Sequence, residues 1–379
     1  MSAESTPEPG ITEPVTTGPQ QRGGGKRRTA AAPGKRRKAL LATAWAAAGV
    51  VVLAGTGFGY VYFKLNGNLK SVDINQALGD GRPTKVDNGS ENILVLGSDT
   101  RAGTNRKLGG GTDDGSARSD TAMIVHVYKG HRRAGVVSVP RDTLIDRPAC
   151  TDAKGGSHPA ATGVMFNSAY STGGAACAVK TVESLTGIRM DHYLEVDFAG
   201  FQKLIDDLGG VPVTTTRSIS DPQSHLNLKA GTHTLDGQRA LALVRTRHGV
   251  GDGSDLGRIQ LQQAFVKALL DQVAHVGVFS DPQRLYDLAD TATKAVTTDS
   301  DLGSVNALAD FAGGLKGIGS SHLRMVTMPV RYDPADPNRV LLEKAKAERI
   351  WQALRNDRPI PASATKDTAA GGAAGVVSG

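Results

Sequence analysis

The sequence predicts a single α/β domain, with a central mixed sheet flanked by helices, preceded by one transmembrane helix. Between residues 91 and 358, short apolar runs alternate with longer segments of helical periodicity, which is typical of layered α/β domains. Two of the apolar runs are joined by a short polar turn, which indicates an antiparallel hairpin within the sheet. Residues 39–63 form an uncharged stretch of 25 residues, long enough to cross a hydrocarbon core of about 30 Å.

The N-terminal tail holds most of the net charge. The chain has a formal net charge of +7, and residues 1–38 contribute +5 of it through eight basic and three acidic side chains. The rest of this tail is mainly Gly, Pro, Ser, Thr and Ala, which cannot build a core, so we expect it to be disordered. Everything after Lys38 carries only +2, which argues against nucleic acid as a partner of the folded part.

The uncharged stretch 39–63, "ALLATAWAAAGVVVLAGTGFGYVYF", favours an uncleaved membrane anchor. A cleavable signal peptide, the alternative, has a shorter apolar core of about 7–15 residues. Tyr60 and Tyr62 stand at the outer end of the stretch, where amphipathic rings prefer the membrane interface. Because the basic cluster precedes the span, we expect a single-pass protein of the cell membrane, with a cytoplasmic N-terminus and the remaining chain outside.

Composition also divides the outer part of the chain. Residues 64–90 are polar and turn-rich and predict a stalk, whereas residues 359–379, rich in Ala and Gly, predict a disordered tail. The two cysteines of the chain are Cys150 and Cys177. An even number of cysteines in a domain outside the cytoplasm favours a disulfide over two buried free thiols.

The periodicity of apolar residues predicts the main elements of the domain. Strands are expected at 92–97, 121–128, 134–139 and 211–216, and the second and third of them form the hairpin. Helices are expected at 196–210, at 235–244 with Asp236 as N-cap, at 255–276 and at 336–354. The expected buried side of the helix at 255–276 consists of Ile259, Phe265, Val266, Leu269 and Val273.

Three charged residues stand at the ends of the first three strands. Asp99 follows the first strand, Asp120 precedes the second, and Arg141 follows the third. If the second strand runs antiparallel to the other two, all three residues lie at one edge of the sheet. Mg²⁺ binds one or two protein carboxylates together with water and phosphate oxygens, and arginine binds phosphate through two hydrogen bonds. The pattern therefore predicts a metal-assisted phosphate site, with turn and cap roles for the carboxylates as the alternative.

The stretch "LVRTRHGVGDGSDLGRIQLQQ" (243–263) adds a second cationic set. Arg245 and Arg247 are two residues apart beyond a predicted helix, where an extended backbone points both side chains the same way. Arg258 and Gln262 share one face of the next helix near its N-terminus, which itself favours anions. We predict a phosphate-binding surface, and a solvated surface loop is the alternative.

These motifs, in this order, resemble the LytR–CpsA–Psr family of cell-wall glycopolymer phosphotransferases, in particular its actinobacterial members. The resemblance rests on residues 91–276, in the motifs "NILVLGSDTR", "ARSDTAMIVHV", "VSVPRDT", "FNSAYSTGG", "DHYLEVDFAGFQKLIDDLGGV", "LDGQRALALVRTRH" and "SDLGRIQLQQ". It implies a Mg²⁺-dependent enzyme that moves a glycopolymer from a polyprenyl-pyrophosphate carrier to peptidoglycan through a phosphodiester. A hydrolase of the same lipid pyrophosphate, and a non-catalytic lipid-binding or regulatory envelope protein, are the alternatives.

The resemblance also implies roles for individual residues. The metal ligands are Asp99 and Asp120, and the pyrophosphate-binding residues are Arg141, Arg245, Arg247, Arg258 and Gln262. The catalytic candidates are Arg141, Asp142 and Asp255, and either aspartate is a candidate to deprotonate the acceptor hydroxyl. The pair Cys150 and Cys177 resembles the paired cysteines of actinobacterial members.

One position departs from the family pattern. Members usually carry a further arginine three residues after the one at Arg258, in an R-x-x-R-Q pattern, whereas Leu261 stands there in this chain. A leucine cannot bind phosphate. We therefore expect Leu261 to pack either on the first isoprene units of the lipid or on the domain core.

Overall fold

The computed structural model describes residues 56–98, 119–152, 154–251, 253–277, 281–369 and 376–378. Residues 59–379 form one compact unit, and of the unit formed by residues 1–58 only the helical residues 56–58 are described. Asp99 and residues 39–55 of the predicted anchor lie outside the described residues. Within the described part of the chain, no helix is both long enough and apolar enough to cross a membrane.

A seven-stranded mixed sheet forms the centre of the unit. In spatial order its strands are β1 (Lys70–Val72), β14 (Val296–Asp299), β9 (His192–Asp197), β2 (Glu91–Ser98), β3 (Ser119–Val127), β4 (Ala134–Ser138) and β15 (Leu323–Thr327). The pairs β1/β14, β9/β2 and β4/β15 are parallel, and the pairs β14/β9, β2/β3 and β3/β4 are antiparallel. The predicted mixed sheet and the predicted hairpin of β3 and β4 are thus confirmed.

Helices flank this sheet. They are α1 (residues 56–68), α2 (Ile74–Leu78), α3 (Asn167–Thr186), α4 (Phe198–Asp207), α5 (Gly237–Arg245), α6 (Asp255–His275), α7 (Pro282–Ala295), α8 (Val305–Leu315) and α9 (Lys344–Arg355). The Asp236 carboxylate accepts a hydrogen bond from the Arg239 amide, which confirms the predicted N-cap of α5. The helices predicted at 196–210, 235–244 and 255–276 are confirmed as α4, α5 and α6.

Smaller sheets complete the domain. One contains β16 (Val330–Tyr332), β17 (Val340–Leu342), β5 (Thr143–Arg147) and β8 (Ala161–Met165), and another contains β13 (Gly231–Leu235), β10 (Val211–Thr215) and β18 (Val377–Ser378). Two hairpins pair β6 (Cys150–Thr151) with β7 (Ser157–His158) and β11 (Ile219–Asp221) with β12 (Leu226–Leu228). The main hydrophobic core joins the central sheet to α3 and α9, and a second cluster joins α4, α5 and α6 to β10–β13.

Part of the segment predicted as a stalk belongs to the domain, which corrects the prediction for residues 64–90. The strand β1 extends the central sheet, and Ile74 and Leu78 of α2 lie in the main core. Asp73 begins α2 by accepting hydrogen bonds from the amides of Asn75 and Gln76. These elements are too short to show a clear apolar period, so the polar composition of the segment concealed them.

Two further boundaries differ from the predictions. In the predicted disordered tail, Ile360 and Ala364 lie in the main core, and β18 pairs with β10. In the predicted helix at 336–354, the apolar residues 340–342 form β17, parallel to β5, and the helix begins only at Lys344. A short apolar run fits a strand or a helix equally well, so pairing with β5 decides between them.

A disulfide joins Cys150 of β6 to Cys177 of α3, as predicted. Both cysteines are buried, and the guanidinium of Arg147 donates a hydrogen bond to the Cys150 sulfur at 3.3 Å. A side chain at Gly173 would bring its Cβ within 2.8 Å of the Cys177 Cβ. Gly173 therefore allows α3 to pack closely against the disulfide, because it has no side chain.

We expect replacement of both cysteines by alanine to destabilise the domain. The bridge spans 27 residues, and the chain-entropy relation for a loop of this length gives about 3.5 kcal/mol. The free energy of unfolding, measured in urea, checks this value. As a control, mass spectrometry of unreduced protein prepared outside the cytoplasm must show one disulfide-linked peptide pair. An unchanged urea midpoint in the double alanine variant would contradict the expectation.

Candidate active site

Asp120 and Arg141 meet at the predicted edge of the sheet. Asp120 lies at the start of β3, and Arg141 follows the end of β4, which runs antiparallel to β3. The Arg141 Nη1 donates to the Asp120 Oδ1 at 2.5 Å. Ser98, the residue before Asp99, pairs with Ser119 at the same edge, but Asp99 itself lies outside the described residues.

Three carboxylates surround the Arg141 guanidinium. Besides the bond to Asp120, its Nε lies 3.6 Å from the Asp142 Oδ2 and 3.7 Å from the Asp255 Oδ1. Burial acts to lower the pKa of Arg141, but the three carboxylates outweigh burial and raise it. The Nε is buried and has no hydrogen-bond partner. Arg141 is therefore a fixed, fully charged cation, held by carboxylates on more than one side.

The two catalytic candidates Asp142 and Asp255 differ in accessibility. The Asp142 side chain is 20% exposed, whereas that of Asp255 is 8% exposed. Asp255 is engaged by the Arg258 guanidinium and accepts a hydrogen bond from the Arg141 amide. Burial raises the pKa of Asp142 above its ordinary value of 3.8, against the lowering effect of Arg141. Asp142 is therefore the better placed of the two to exchange a proton with a bound molecule.

A cavity of about 220 Å³ opens in front of these residues. Its lining includes Arg141, Asp142 and Asp255, and it adds the guanidinium-bearing residues Arg247 and Arg339. Arg247 was predicted from the sequence, but Arg339 was not. Arg339 precedes β17, inside the segment that the sequence predicted as a helix, so only pairing of β17 with β5 shows that it reaches this site.

The loop that carries Arg247 is held by a buried carboxylate. Asp221, at the end of β11, accepts hydrogen bonds from the amides of Arg247 and His248 at 2.9 and 3.1 Å. Gly249 has φ +84°, and a Cβ there would lie 2.7 Å from the Ser220 carbonyl oxygen. Asp221 thus positions Arg247, a role that no nearby sequence motif indicates.

The other predicted phosphate ligands lie beside or behind the cavity and do not line it. Arg258 is 3% exposed, and its Nη2 donates to the Asp120 carbonyl oxygen. The Gln262 amide nitrogen donates to the Thr121 hydroxyl and to the Val244 carbonyl oxygen, both at 2.9 Å. The Arg245 guanidinium lies over the Phe198 ring at 5.2 Å. Arg258 and Gln262 therefore brace α6 against β3, which places Asp255 and fixes the start of β3.

Leu261 packs on the protein core. It is 1% exposed and belongs to the second hydrophobic cluster, together with Leu243, Val250 and Phe265. Of the two alternatives raised by the sequence, the structure supports packing on the core. The buried side of α6 includes Ile259 and Phe265, as predicted, but also Arg258, Leu261 and Gln262, while Val266, Leu269 and Val273 are only half-buried.

A buried hydrogen-bonded chain fixes the end of β2, just before Asp99. The Tyr170 hydroxyl of α3 donates to the Glu195 carboxylate of β9 at 2.8 Å and lies 3.4 Å from the Ser98 hydroxyl. Burial, followed by the charge of Glu195, raises the pKa of Tyr170. Tyr170 therefore remains a neutral donor, and the last residue of β2 is held in place from beneath the sheet.

Comparison with known proteins identifies the architecture. The model of the LytR_cpsA_psr family matches residues 61–356. The chain belongs to the LytR–CpsA–Psr family. The match begins ahead of β1, in agreement with the inclusion of β1 and α2 in the domain.

Two relatives have names that refer to the cell wall. The chain is 31% identical over 311 residues to "Cell wall biosynthesis protein LcpA" of Corynebacterium glutamicum, covering 75% of this chain and 59% of LcpA. It is 30% identical over 319 residues to "Polyisoprenyl-teichoic acid--peptidoglycan teichoic acid transferase TagT" of Bacillus subtilis, covering 81% of this chain and 91% of TagT. This chain thus spans about three fifths of the length of LcpA.

A solved structure confirms the fold. The "LytR-Csp2A-Psr enzyme from Actinomyces oris" aligns with a TM-score of 0.55 at 24% identity, covering 76% of this chain and 95% of that one. The predicted α/β domain with a mixed central sheet is therefore the fold of a known LytR–CpsA–Psr structure.

Proposed function

We propose that this protein is a membrane-anchored phosphotransferase, which attaches a glycopolymer from a polyprenyl-pyrophosphate carrier to peptidoglycan through a phosphodiester. The observation that carries the proposal is the cavity lined by Arg141, Arg247 and Arg339, with two carboxylates beside them. Three guanidinium groups around one small polar cavity suit a pyrophosphate, which offers several charged oxygens. The name of TagT, a teichoic acid transferase, supports the same reaction class.

Each side chain of the site has a separate role in the proposed transfer. A sugar hydroxyl of peptidoglycan attacks the phosphorus that carries the glycopolymer, and the bond from this phosphorus to the bridging oxygen breaks. The polyprenyl phosphate leaves, and Asp142 accepts the proton of the hydroxyl. Arg141, Arg247 and Arg339 stabilise the charge that develops on the phosphate oxygens, while Asp255 and Asp120 keep Arg141 in position.

The proposal includes Mg²⁺ as the cofactor. Asp120, half-buried at the sheet edge, offers one carboxylate, and we assign the second to Asp99. Within the described ranges, no group of three or more His, Cys, Asp or Glu side chains is arranged to hold a metal ion. One or two carboxylates suffice for a Mg²⁺ ion that also binds substrate phosphates, and such an ion neutralises phosphate charge as a Lewis acid.

A transfer assay tests the proposal. Purified protein is incubated with Mg²⁺, a lipid-pyrophosphoryl glycan labelled in the glycan, and peptidoglycan oligomers. We expect the label to appear on the oligomers in a bond that phosphodiester cleavage releases. A soluble glycan phosphate as the main product would favour the hydrolase, and an unreacted donor that remains bound would favour the lipid-binding or regulatory protein.

We expect the acid limb of the pH–rate profile to report Asp142. A general base must be ionised, so turnover falls as pH drops through its pKa, and this limb should lie above pH 3.8 because burial raises the pKa of Asp142. Asp142→Asn should lower the rate by about 10²–10⁴ and remove the limb. Asp310→Asn, which changes an exposed carboxylate on α8 that does not line the cavity, is the matched control. If the acid limb is unchanged in Asp142→Asn, a group other than Asp142 is the general base.

The same proposal places the enzyme in the cell membrane. The uncharged stretch 39–63 follows a basic cluster, which favours a cytoplasmic N-terminus and an active site outside. An anchored enzyme and a lipid-borne donor share one plane, so their effective concentration is high.

A further inference from the structure

The end of α1 is attached firmly to α7. The Lys64 ammonium group donates to the Tyr286 hydroxyl at 2.5 Å, and the Asn68 side chain donates to Asp290 at 3.0 Å and to Thr293 at 3.3 Å. Leu65, between these polar contacts, is buried. Five residues of two helices are thus joined by specific side-chain bonds, which fix the direction of one helix relative to the other.

The contacts also set the register of the two helices. Lys64 meets Tyr286, and Asn68 meets Asp290, so both contacts join residues 222 positions apart. The helices therefore run parallel. Lys64 also lies 3.7 Å from Asp290, and Asn68 also donates to Thr293, so the register is defined to within about one turn. By this register, Leu285 lies level with Phe63, and Pro282, the first residue of α7, lies level with Tyr60.

Several apolar side chains at this level are left exposed by the residues that the structure describes. Phe63 is 75% exposed, Tyr60 is 68% exposed, and Leu285 is 40% exposed. They belong to two neighbouring helices at about one height, and together they are called the apolar rim below. Exposed charges of both signs lie beside it, on Asp281, Arg284 and Asp287.

The height of this rim matches the surface of a bilayer. If the predicted span begins at Ala39, a hydrocarbon core of about 30 Å takes about 20 residues at 1.5 Å each. The core then ends near residue 58, and residues 59–63 lie among the lipid headgroups. Aromatic rings and long arginine side chains favour that region.

We propose that the first turn of α7, centred on Leu285, rests on the outer surface of the lipid bilayer as a second membrane contact. This inference rests on the membrane anchor of the proposed function. With two contacts, the anchor and the α7 turn, the domain has a fixed height and tilt above the bilayer. The active site is then presented to the headgroup of its lipid substrate in one orientation.

Nitroxide labels in the full-length protein test the proposal. Both native cysteines form the disulfide, so Phe63→Cys, Leu285→Cys and Lys294→Cys each give one labelled site. Lys294 is the matched control, because it is exposed on the same helix nine residues further along, about 13 Å from the level of Leu285. Each protein is reconstituted into phosphatidylcholine–phosphatidylglycerol vesicles, and collisions with oxygen and with a water-soluble nickel complex are measured.

We expect the label at 285 to resemble the label at 63, with nickel collisions several-fold below those at 294 and oxygen collisions above them. If 63 is shielded from nickel but 285 matches 294, the second contact is wrong and the anchor stands. If 63 is also open to nickel, the apolar rim stands clear of the headgroups and the proposal is wrong, whether or not residues 39–58 span the bilayer. A label at 285 that is shielded from both reagents would mean that protein covers this turn, which also overturns the proposal.

Discussion

Arg141→Ala is expected to lower kcat/KM for glycan transfer by about 10³-fold, the upper range for loss of one preorganised donor. The change removes one of the three arginines that line the cavity and leaves Asp120, Asp142 and Asp255 without their shared partner. Three carboxylates at one site then repel the phosphate that they previously helped to position. Arg141→Lys should recover only part of the rate, because an ammonium group cannot reproduce the planar guanidinium contacts.

The matched control for this change is Arg331→Ala. Arg331 is an exposed arginine on β16 that does not line the cavity, so its replacement should leave transfer unchanged. Melting temperatures of both variants separate loss of activity from loss of fold. If the Arg141→Ala protein is folded and its transfer rate is within tenfold of the rate of the unchanged enzyme, Arg141 is not central to the proposed site.

The contact between Asp120 and Arg141 was predictable because it depends on residues that are close together in the sequence. A polar turn of a few residues makes β3 and β4 antiparallel neighbours, and the start of one strand must then lie beside the end of the other. The cap at Asp236 is equally local, since it depends on the three residues that follow.

Arg339 and Asp221 were not predictable because distant pairings place them. Arg339 reaches the cavity only because β17 pairs with β5, which lies almost 200 residues earlier in the chain. Asp221 holds a loop 26 residues away through two backbone amides. Their local sequences resemble ordinary turns, and a turn aspartate most often binds its own neighbours.

The predictions of a stalk and of a disordered C-terminal tail were partly wrong for a different reason. Their apolar residues are few and widely spaced, so composition indicates disorder. In the structure, isolated residues such as Ile74 and Ile360 fill the main core at its margins, where a single side chain suffices. Burial of single residues leaves no periodic pattern in the sequence.

Leu261→Arg, which restores the arginine of the family pattern, is expected to unfold the domain and not to increase transfer. Leu261 is 1% exposed within a cluster of apolar side chains, and burial of an unpaired charge costs several kcal/mol. Leu261→Ala should lower the free energy of unfolding by about 2–5 kcal/mol, whereas Leu261→Met, which conserves volume, should cost less than about 1.5 kcal/mol.

Urea unfolding and the transfer assay together check this expectation. In the structure the cavity already has Arg141, Arg247 and Arg339, so a further arginine from α6 is not needed to bind a pyrophosphate. Arg339, from a different part of the chain, supplies the third of these positive charges. A stable Leu261→Arg protein with faster transfer would contradict both points, because it would show that position 261 faces the substrate and that the natural leucine limits the enzyme.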